Sequence, residues 1–216
     1  MINEFSRTEM LIGSQGIMSL KAATVVVFGV GGVGSHAIEA LARCGVGRLV
    51  LVDNDTVSLT NVNRQSIAMH STIGRPKTQV MKEKITDLSP DTRVITSEQF
   101  VLPQNLDTLF ETIKSQMEPS DRVSYILDAI DTVTAKLALV SYAQENGIPI
   151  ISSMGTGNKL HPELFSISDI SQTSVCPLCR VMRKELKARN ISHLKVCWSP
   201  EPPLTPGPAE EDTGNR

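Results

Sequence analysis

The sequence predicts an α/β chain: a doubly wound, mostly parallel sheet with helices on both faces. Short apolar, β-branched runs such as Ala23–Phe28 and Arg48–Val52 alternate with segments of helical spacing as far as Ser153. The first run ends in Gly29-Val30-Gly31-Gly32-Val33-Gly34, a glycine turn that opens onto a helix. The second ends on Asp53 and Asp55. Strand, glycine turn, helix, strand and terminal acid make a geometry that binds a nucleotide. Glycines admit the ligand close to the backbone, helix-start amides face its phosphates, and the acid reaches a ribose hydroxyl.

The elements follow in order. Glu9–Leu20 reads as a short helix leading into strand Ala23–Phe28. Gly34–Cys44 is helical, with Ala37, Ile38 and Leu41 apolar, and Gly45-Val46-Gly47 turns the chain into strand Arg48–Val52. Asp53–Met69 is polar and Asn-rich and reads as an irregular loop. Pro76–Leu88 is helical, with Val80, Ile85 and Leu88 on one face, and Arg93–Thr96 is the third strand. Pro103 opens a helix to Lys114, as proline suits a first turn. Val123–Leu127, helix Thr134–Asn146 and strand Ile148–Ser152 complete the alternation. Ligands of such sheets bind beyond the carboxyl ends of the strands, where the glycine turn, Asp53 and Asp55, and Asp128 and Asp131 all fall.

After Ser153 the pattern changes. Met154-Gly155-Thr156-Gly157 is a turn, Glu163–Asp169 alternates like a strand, and Cys176–Arg189 reads as a basic helix. The expected organisation is a helical lead-in (1–22), a Rossmann-like nucleotide-binding domain (23–153), a substrate-facing extension (154–198) and a Pro-rich acidic tail (199–216) that is disordered or truncated.

The bulk composition narrows the classes. At 216 residues, 40% hydrophobic and 20% charged, the chain suits a packed globule. A net charge of −2 excludes a nucleic-acid binder that works by overall charge, so any such role needs a local basic patch. No apolar run is long enough to span a bilayer, and MINEFSRTEMLIG lacks the features of a signal peptide, so no membrane role is expected. Four cysteines without a disulfide framework point to a reducing cytoplasm.

The glycine fingerprint alone fits an NAD enzyme as well as an ATP enzyme. Asn61-Val62-Asn63-Arg64-Gln65 adds amides and a guanidinium near the nucleotide end. Lys77 adds an ammonium at a helix start, and Asp131 a carboxylate suited to magnesium. Cleavage of ATP between its α and β phosphates needs such a collection, and hydride transfer does not. The glycine turn, the DxDxV…NxNRQ segment, Gly74-Arg75-Pro76-Lys77 and Asp128-Ala129-Ile130-Asp131 resemble the ubiquitin-activating-enzyme-like adenylating proteins. That family includes the partners of sulfur carriers in thiamin and molybdopterin synthesis. Over residues 5–203 the chain is most similar to the family's tRNA-modifying dehydratase branch.

The resemblance implies roles. Gly29, Gly31, Gly32 and Gly34 would hold ATP, Asp53 the ribose with Asp55 nearby, and Asn61 and Arg64 the phosphates. Lys77 would stabilise the polyphosphate, and Asp131 would organise Mg2+ and the α-phosphate. Arg7 would reach the ATP of a second subunit in a homodimer. The implied reaction is adenylation of the threonyl carboxylate of threonylcarbamoyladenosine beside a tRNA anticodon, followed by ring closure with net loss of water. Proteins of a cysteine desulfurase system are implied as further partners. Relatives usually continue past the point matching Pro203 with an apolar Gly-rich helix, which is not present in this sequence.

Each assignment has a plainer counterpart. The glycines can serve helix-sheet packing alone, Asp53 and Asp128 can be turn caps, and Lys77 can be a solvated helix-start lysine. Arg180, Arg183, Lys184 and Lys187 on the basic helix are candidates for tRNA phosphates or simply a solvated face. Cys176-Pro177-Leu178-Cys179 is one CxxC where a structural zinc generally needs four ligands; Cys197 with His193 would have to complete it. Plain helix-start thiols and a redox-sensitive pair compete with zinc. Cys44 reads as packing, and no thiol reads as catalytic. Activation of a sulfur-carrier C-terminus is the main alternative activity, ahead of a non-catalytic nucleotide scaffold or an NAD enzyme.

Overall fold

A computed structural model describes residues 2–207, so residues 208–216 of the expected tail lie outside the described residues. The chain divides into two compact units, Met1–Ser152 and Ser153 onward.

The first unit alternates helix and strand: α1 (Ser6–Ala22), β1 (Thr24–Phe28), α2 (Gly34–Arg43), β2 (Arg48–Val52), α3 (Lys77–Leu88), β3 (Arg93–Ser97), α4 (Leu106–Ser115), β4 (Tyr125–Asp128), α5 (Val133–Glu145) and β5 (Ile150–Ser153). The five strands pair in parallel in the order β3-β2-β1-β4-β5. Side chains of β1 alternate between two cores. Val25 and Val27 join Ile38, Ala42, Val80, Met81 and Ile85 from α2 and α3. Val26 and Phe28 join Leu109, Phe110, Leu139 and Tyr142 from α4 and α5. Both faces of the sheet are therefore covered, which is why the strands read as continuous apolar runs. Phe110 stacks on Tyr142 with ring centroids 4.0 Å apart. The strand order reverses between β1 and β4, and a crevice opens at such a switch point, beyond the carboxyl ends.

The lead-in helix is longer than the sequence suggests and is kinked at Gly13, whose φ of 72° no regular helix accommodates. None of its residues is buried. Phe5 just before it is buried, and a Cβ at Gly45 would sit 2.9 Å from its ring, so only glycine lets the α2–β2 turn pass there.

The second unit holds β6 (Ser166–Asp169), α6 (Pro177–Ala188) and β7 (Lys195–Trp198), with β6 and β7 antiparallel. β7 is an element that the sequence pattern does not announce, and β6 is shorter than expected because Pro162–Leu164 form a 3-10 turn. The start of the expected disordered tail is instead packed. Ser199 and Glu201 are buried, Glu201 accepts the N–H groups of Leu160 and His161, and the Leu204 N–H bonds to Asn158 O at 2.8 Å. A buried carboxylate that satisfies two loop amides offsets the chain entropy that the Pro-rich composition emphasised.

Candidate functional site

The glycine turn divides into two kinds of position. Gly29 has φ +91°, and its N–H bonds to Val52 O at 2.8 Å. A Cβ there would lie 2.7 Å from Ala129 O, and a Cβ on Gly34 would lie 1.8 Å from Gly29 O. These two glycines are demanded by the fold itself. A Cβ on Gly31 would meet only Gln65 Nε2 at 3.9 Å, and one on Gly32 only the Arg64 side chain, from 3.6 Å outward. Their missing side chains leave open space beside Arg64 and Gln65.

Asp53 ties the turn to the strand beside it. Its Oδ2 accepts the Val30 N–H at 2.6 Å and its Oδ1 accepts the Asp55 N–H at 2.8 Å. Burial pushes its carboxyl above the usual value of 3.8, against those amides and the charge of Lys77. Lys77 is the first residue of α3 and is only 5% exposed. Its Nζ lies 2.7 Å from Asp55 Oδ2, and its N–H bonds to Asp55 O at 3.0 Å. A solvated helix-start lysine is thus overturned: Asp53, Asp55 and Lys77 form one cluster.

Asn61 is buried and builds its own loop. Its Oδ1 accepts the Ser58 N–H at 3.1 Å, and its carbonyl accepts the N–H groups of Arg64 and Gln65. The Arg64 Nη1 donates to Thr60 O at 2.8 Å and to Asn63 Oδ1 at 3.0 Å, which holds the exposed guanidinium beside Gly32. Asp131 is exposed after β4; the Thr132 hydroxyl donates to it at 3.4 Å. Arg7 is exposed in the first turn of α1 and makes no hydrogen bond or ion pair with these residues.

Asp128 does cap its turn, its Oδ1 accepting the Ile130 N–H at 3.3 Å, but it does so as a buried, paired carboxylate. It and Lys136 are both 0% exposed, with Lys136 Nζ 2.9 Å from Asp128 Oδ2. Ser152, its register partner on β5, donates its hydroxyl to the same oxygen. Removing one partner of such a buried pair costs about 3–5 kcal/mol. Lys136 and Ser152 were not singled out in the sequence. The available signal was a lysine inside the apolar run of α5, which needs a counter-charge, with Asp128 eight residues earlier at the end of β4.

In the second unit, Cys176 and Cys179 sit at the start of α6, both buried. The Cys179 thiol donates to Cys176 and lowers its value from 9.0 to about 5, helped by the amides of Cys179, Gly155 and Leu178 against burial. Cys179 moves up, because its proton is held by Cys176 and it is itself buried. Zinc ligands are not assembled: His193 is turned to Asp169 at 3.4 Å, and among the described residues no three His, Cys, Asp or Glu side chains gather as a metal site. Of the basic helix residues, Arg180, Lys184 and Lys187 are exposed. Arg183 instead donates to Thr173 O at 2.9 Å and to the Thr173 hydroxyl, so it anchors the helix start. No helix among the described residues is long and apolar enough to cross a membrane.

The model of the ThiF family matches residues 5–195. The chain belongs to that family. It is 43% identical over 205 residues to the tRNA threonylcarbamoyladenosine dehydratase of Bacillus subtilis, covering 94% of this chain and 77% of that one. The E. coli tRNA N6-threonylcarbamoyladenosine dehydratase TcdA, solved in complex with ATP, superposes with a TM-score of 0.85 at 33% identity, covering 94% of this chain and 83% of that one. Likeness to the yeast adenylyltransferase and sulfurtransferase UBA4 is weaker, at 30% identity over 76% of this chain and 35% of that protein.

Proposed function

We propose that this ThiF-family chain dehydrates threonylcarbamoyladenosine in tRNA, next to the anticodon, at the expense of ATP. The observation that carries the reading is the open face of Gly31 and Gly32 beside the Arg64 guanidinium, with Asp53 bonded to Val30 of the same turn and paired Asp55 and Lys77 next to Asp53. Asp131 follows β4, whose end at Asp128 and Ala129 lies against Phe28 and Gly29. The likeness to the dehydratases, stronger than that to the adenylyltransferase and sulfurtransferase UBA4, favours this substrate.

In this reading the polyphosphate lies along the glycine turn, where the absent side chains of Gly31 and Gly32 admit it and the start of α2 favours an anion. Asp53 keeps lone pairs for ribose hydroxyls while its amide contacts hold the turn. Arg64 and Lys77 neutralise phosphate charge, and Lys77 is released from Asp55 in proportion as an anion competes for it. Asp131, an exposed carboxylate, is the residue suited to hold Mg2+, which would neutralise charge on the leaving pyrophosphate. The threonyl carboxylate oxygen attacks the α-phosphorus and pyrophosphate leaves. The neighbouring carbamoyl group then attacks the activated carbonyl, the ring closes and AMP leaves with the former carboxylate oxygen. No enzyme thiol takes part. The 154–198 extension presents the tRNA-facing surface through Arg180, Lys184 and Lys187, and Arg7 on α1 completes the site of a second subunit in a homodimer.

The test is mass analysis of tRNA nucleosides after incubation with ATP and Mg2+, with light scattering of the same preparation to read the dimer. Wild-type protein is expected to yield a nucleoside lighter by one water, and Asp131→Ala to yield none. Folded, ATP-binding wild-type protein that leaves the nucleoside mass unchanged would overturn the reading.

A further inference from the structure

The β4–α5 turn carries a buried charge pair, and in general a well-packed apolar pair often serves stability as well as a buried ion pair does. Lys136 Nζ reaches Asp128 Oδ2 at 2.9 Å and also donates to Ile130 O at 2.9 Å. Asp128 Oδ1 accepts the Ile130 N–H at 3.3 Å, and Asp128 Oδ2 takes the Ser152 hydroxyl. Both polar groups of Ile130 are therefore held by the two ends of one ion pair. The Ile130 carbonyl belongs to the peptide bond that joins Asp131, so the ammonium fixes the plane from which the Asp131 side chain departs. The carbonyl of Ala129 in the same turn packs where a Gly29 side chain would be, which sets the turn against the glycine loop. Two ions buried to 0% exposure carry a desolvation cost that a neutral pair of equal volume avoids. What the neutral pair lacks is an ammonium directed at a carbonyl.

We propose that Lys136 and Ser152, acting through Asp128, are positioning residues that hold the Ala129–Asp131 turn in its working geometry. The catalytic consequence rests on the reading of Asp131 given above; the positioning itself does not. Supporting partners one step behind a working ligand commonly change affinity or activity by about 10–100-fold.

The decisive variant is Asp128→Asn combined with Lys136→Met. It removes both charges, keeps the volume, and leaves no unpaired buried ion, whereas Lys136→Met alone strands the Asp128 carboxylate and is expected to unfold readily. Hydrogen exchange read by mass spectrometry on the full chain, without nucleotide, addresses the turn directly. Exchange across 129–134 is expected to rise about tenfold in the double variant, because local opening is easier once the charges that hold both polar groups of Ile130 are gone. Strands β1, β2 and β4 are expected to keep wild-type protection. Ser152→Ala is expected to give a smaller rise in the same peptide. In turnover, kcat for AMP release is expected to fall about tenfold, while ATP affinity changes by less than about threefold. Unchanged exchange across 129–134 in the folded double variant overturns the proposal. So does faster exchange spread over the whole sheet, which assigns the pair to stability alone, and so does a loosened turn with wild-type kcat. If wild-type protein releases no AMP, the dehydratase reading fails, and the exchange experiment still decides the positioning.

Discussion

At the scale of single residues, the glycine turn shows what a motif conceals. Six positions spell a nucleotide loop, and that much was legible from Gly29 to Gly34. Which glycine serves the fold and which leaves room for a ligand was not, because it depends on atoms distant in sequence, such as Ala129 O. The two classes make opposite predictions. In Gly34→Ala the new methyl collides with Gly29 O, and overpacking of this kind costs about 1–3 kcal/mol or more. It should appear as a lower melting temperature or insoluble protein. In Gly32→Ala the methyl meets the Arg64 side chain at ordinary contact distance, so stability should stay within about 0.5 kcal/mol of wild type. The same methyl occupies the space proposed for phosphate, so ATP affinity by calorimetry should fall about tenfold, or 1.4 kcal/mol. Equal affinity in a folded Gly32→Ala protein would remove the phosphate from this part of the turn. The ion pair of Asp128 and Lys136 was only half legible: a lysine in the apolar run of α5 asks for a counter-charge, but the contact of α5 with the end of β4 decides that Asp128 supplies it.

At the scale of elements, alternation of apolar runs with helical spacing was enough to place β1 to β5 and the helices between them. Boundaries moved by up to three residues: β4 starts at Tyr125 rather than Val123, and α4 starts at Leu106 because Pro103–Asn105 form a 3-10 turn. The failures are short elements with mixed faces. β7 has only four residues and opens with an exposed lysine, so its pattern is too short to separate from loop. The chemistry of α6 is sharper than its spacing suggested. A thiol at the N-cap that takes the proton of a neighbouring S–H and faces amide groups is drawn toward ionisation, so the Cys176 thiol is held below the usual value of 9.0. A group whose folded value lies below its unfolded value adds stability that is complete above the unfolded value. That stability is lost as pH falls through the folded value. For Cys176 the window runs from 9.0 down to about 5. Cys176→Ser cannot ionise, so it should melt further below wild type at about pH 8.5 than at about pH 5. A gap that is constant over this range would mean that Cys176 stays protonated in the fold.

At the scale of the whole molecule, the charge balance sets a constraint on the proposed partner. A chain of net charge −2 gains nothing from overall attraction to tRNA, so binding has to come from a local surface. The sequence identified a basic helix but not which cations are available on it. The structure separates them: Arg183 is committed to Thr173 and Arg189 pairs with Glu185 at 2.9 Å, while Arg180, Lys184 and Lys187 are exposed. Reversing those three exposed charges should leave the melting temperature unchanged within about one degree, because surface substitutions away from packed features cost little. It should weaken tRNA binding and flatten the dependence of log affinity on log salt by about 0.7–0.9 for each phosphate that is no longer neutralised. Reversing Arg183 alone should lower the melting temperature first, since it breaks the hydrogen bonds that anchor the start of α6. Filter-binding titrations at several salt concentrations distinguish these cases. A triple variant that keeps the wild-type slope would move the tRNA surface off α6, and leave the ATP chemistry of the first unit to be joined to its substrate by some other face of the chain.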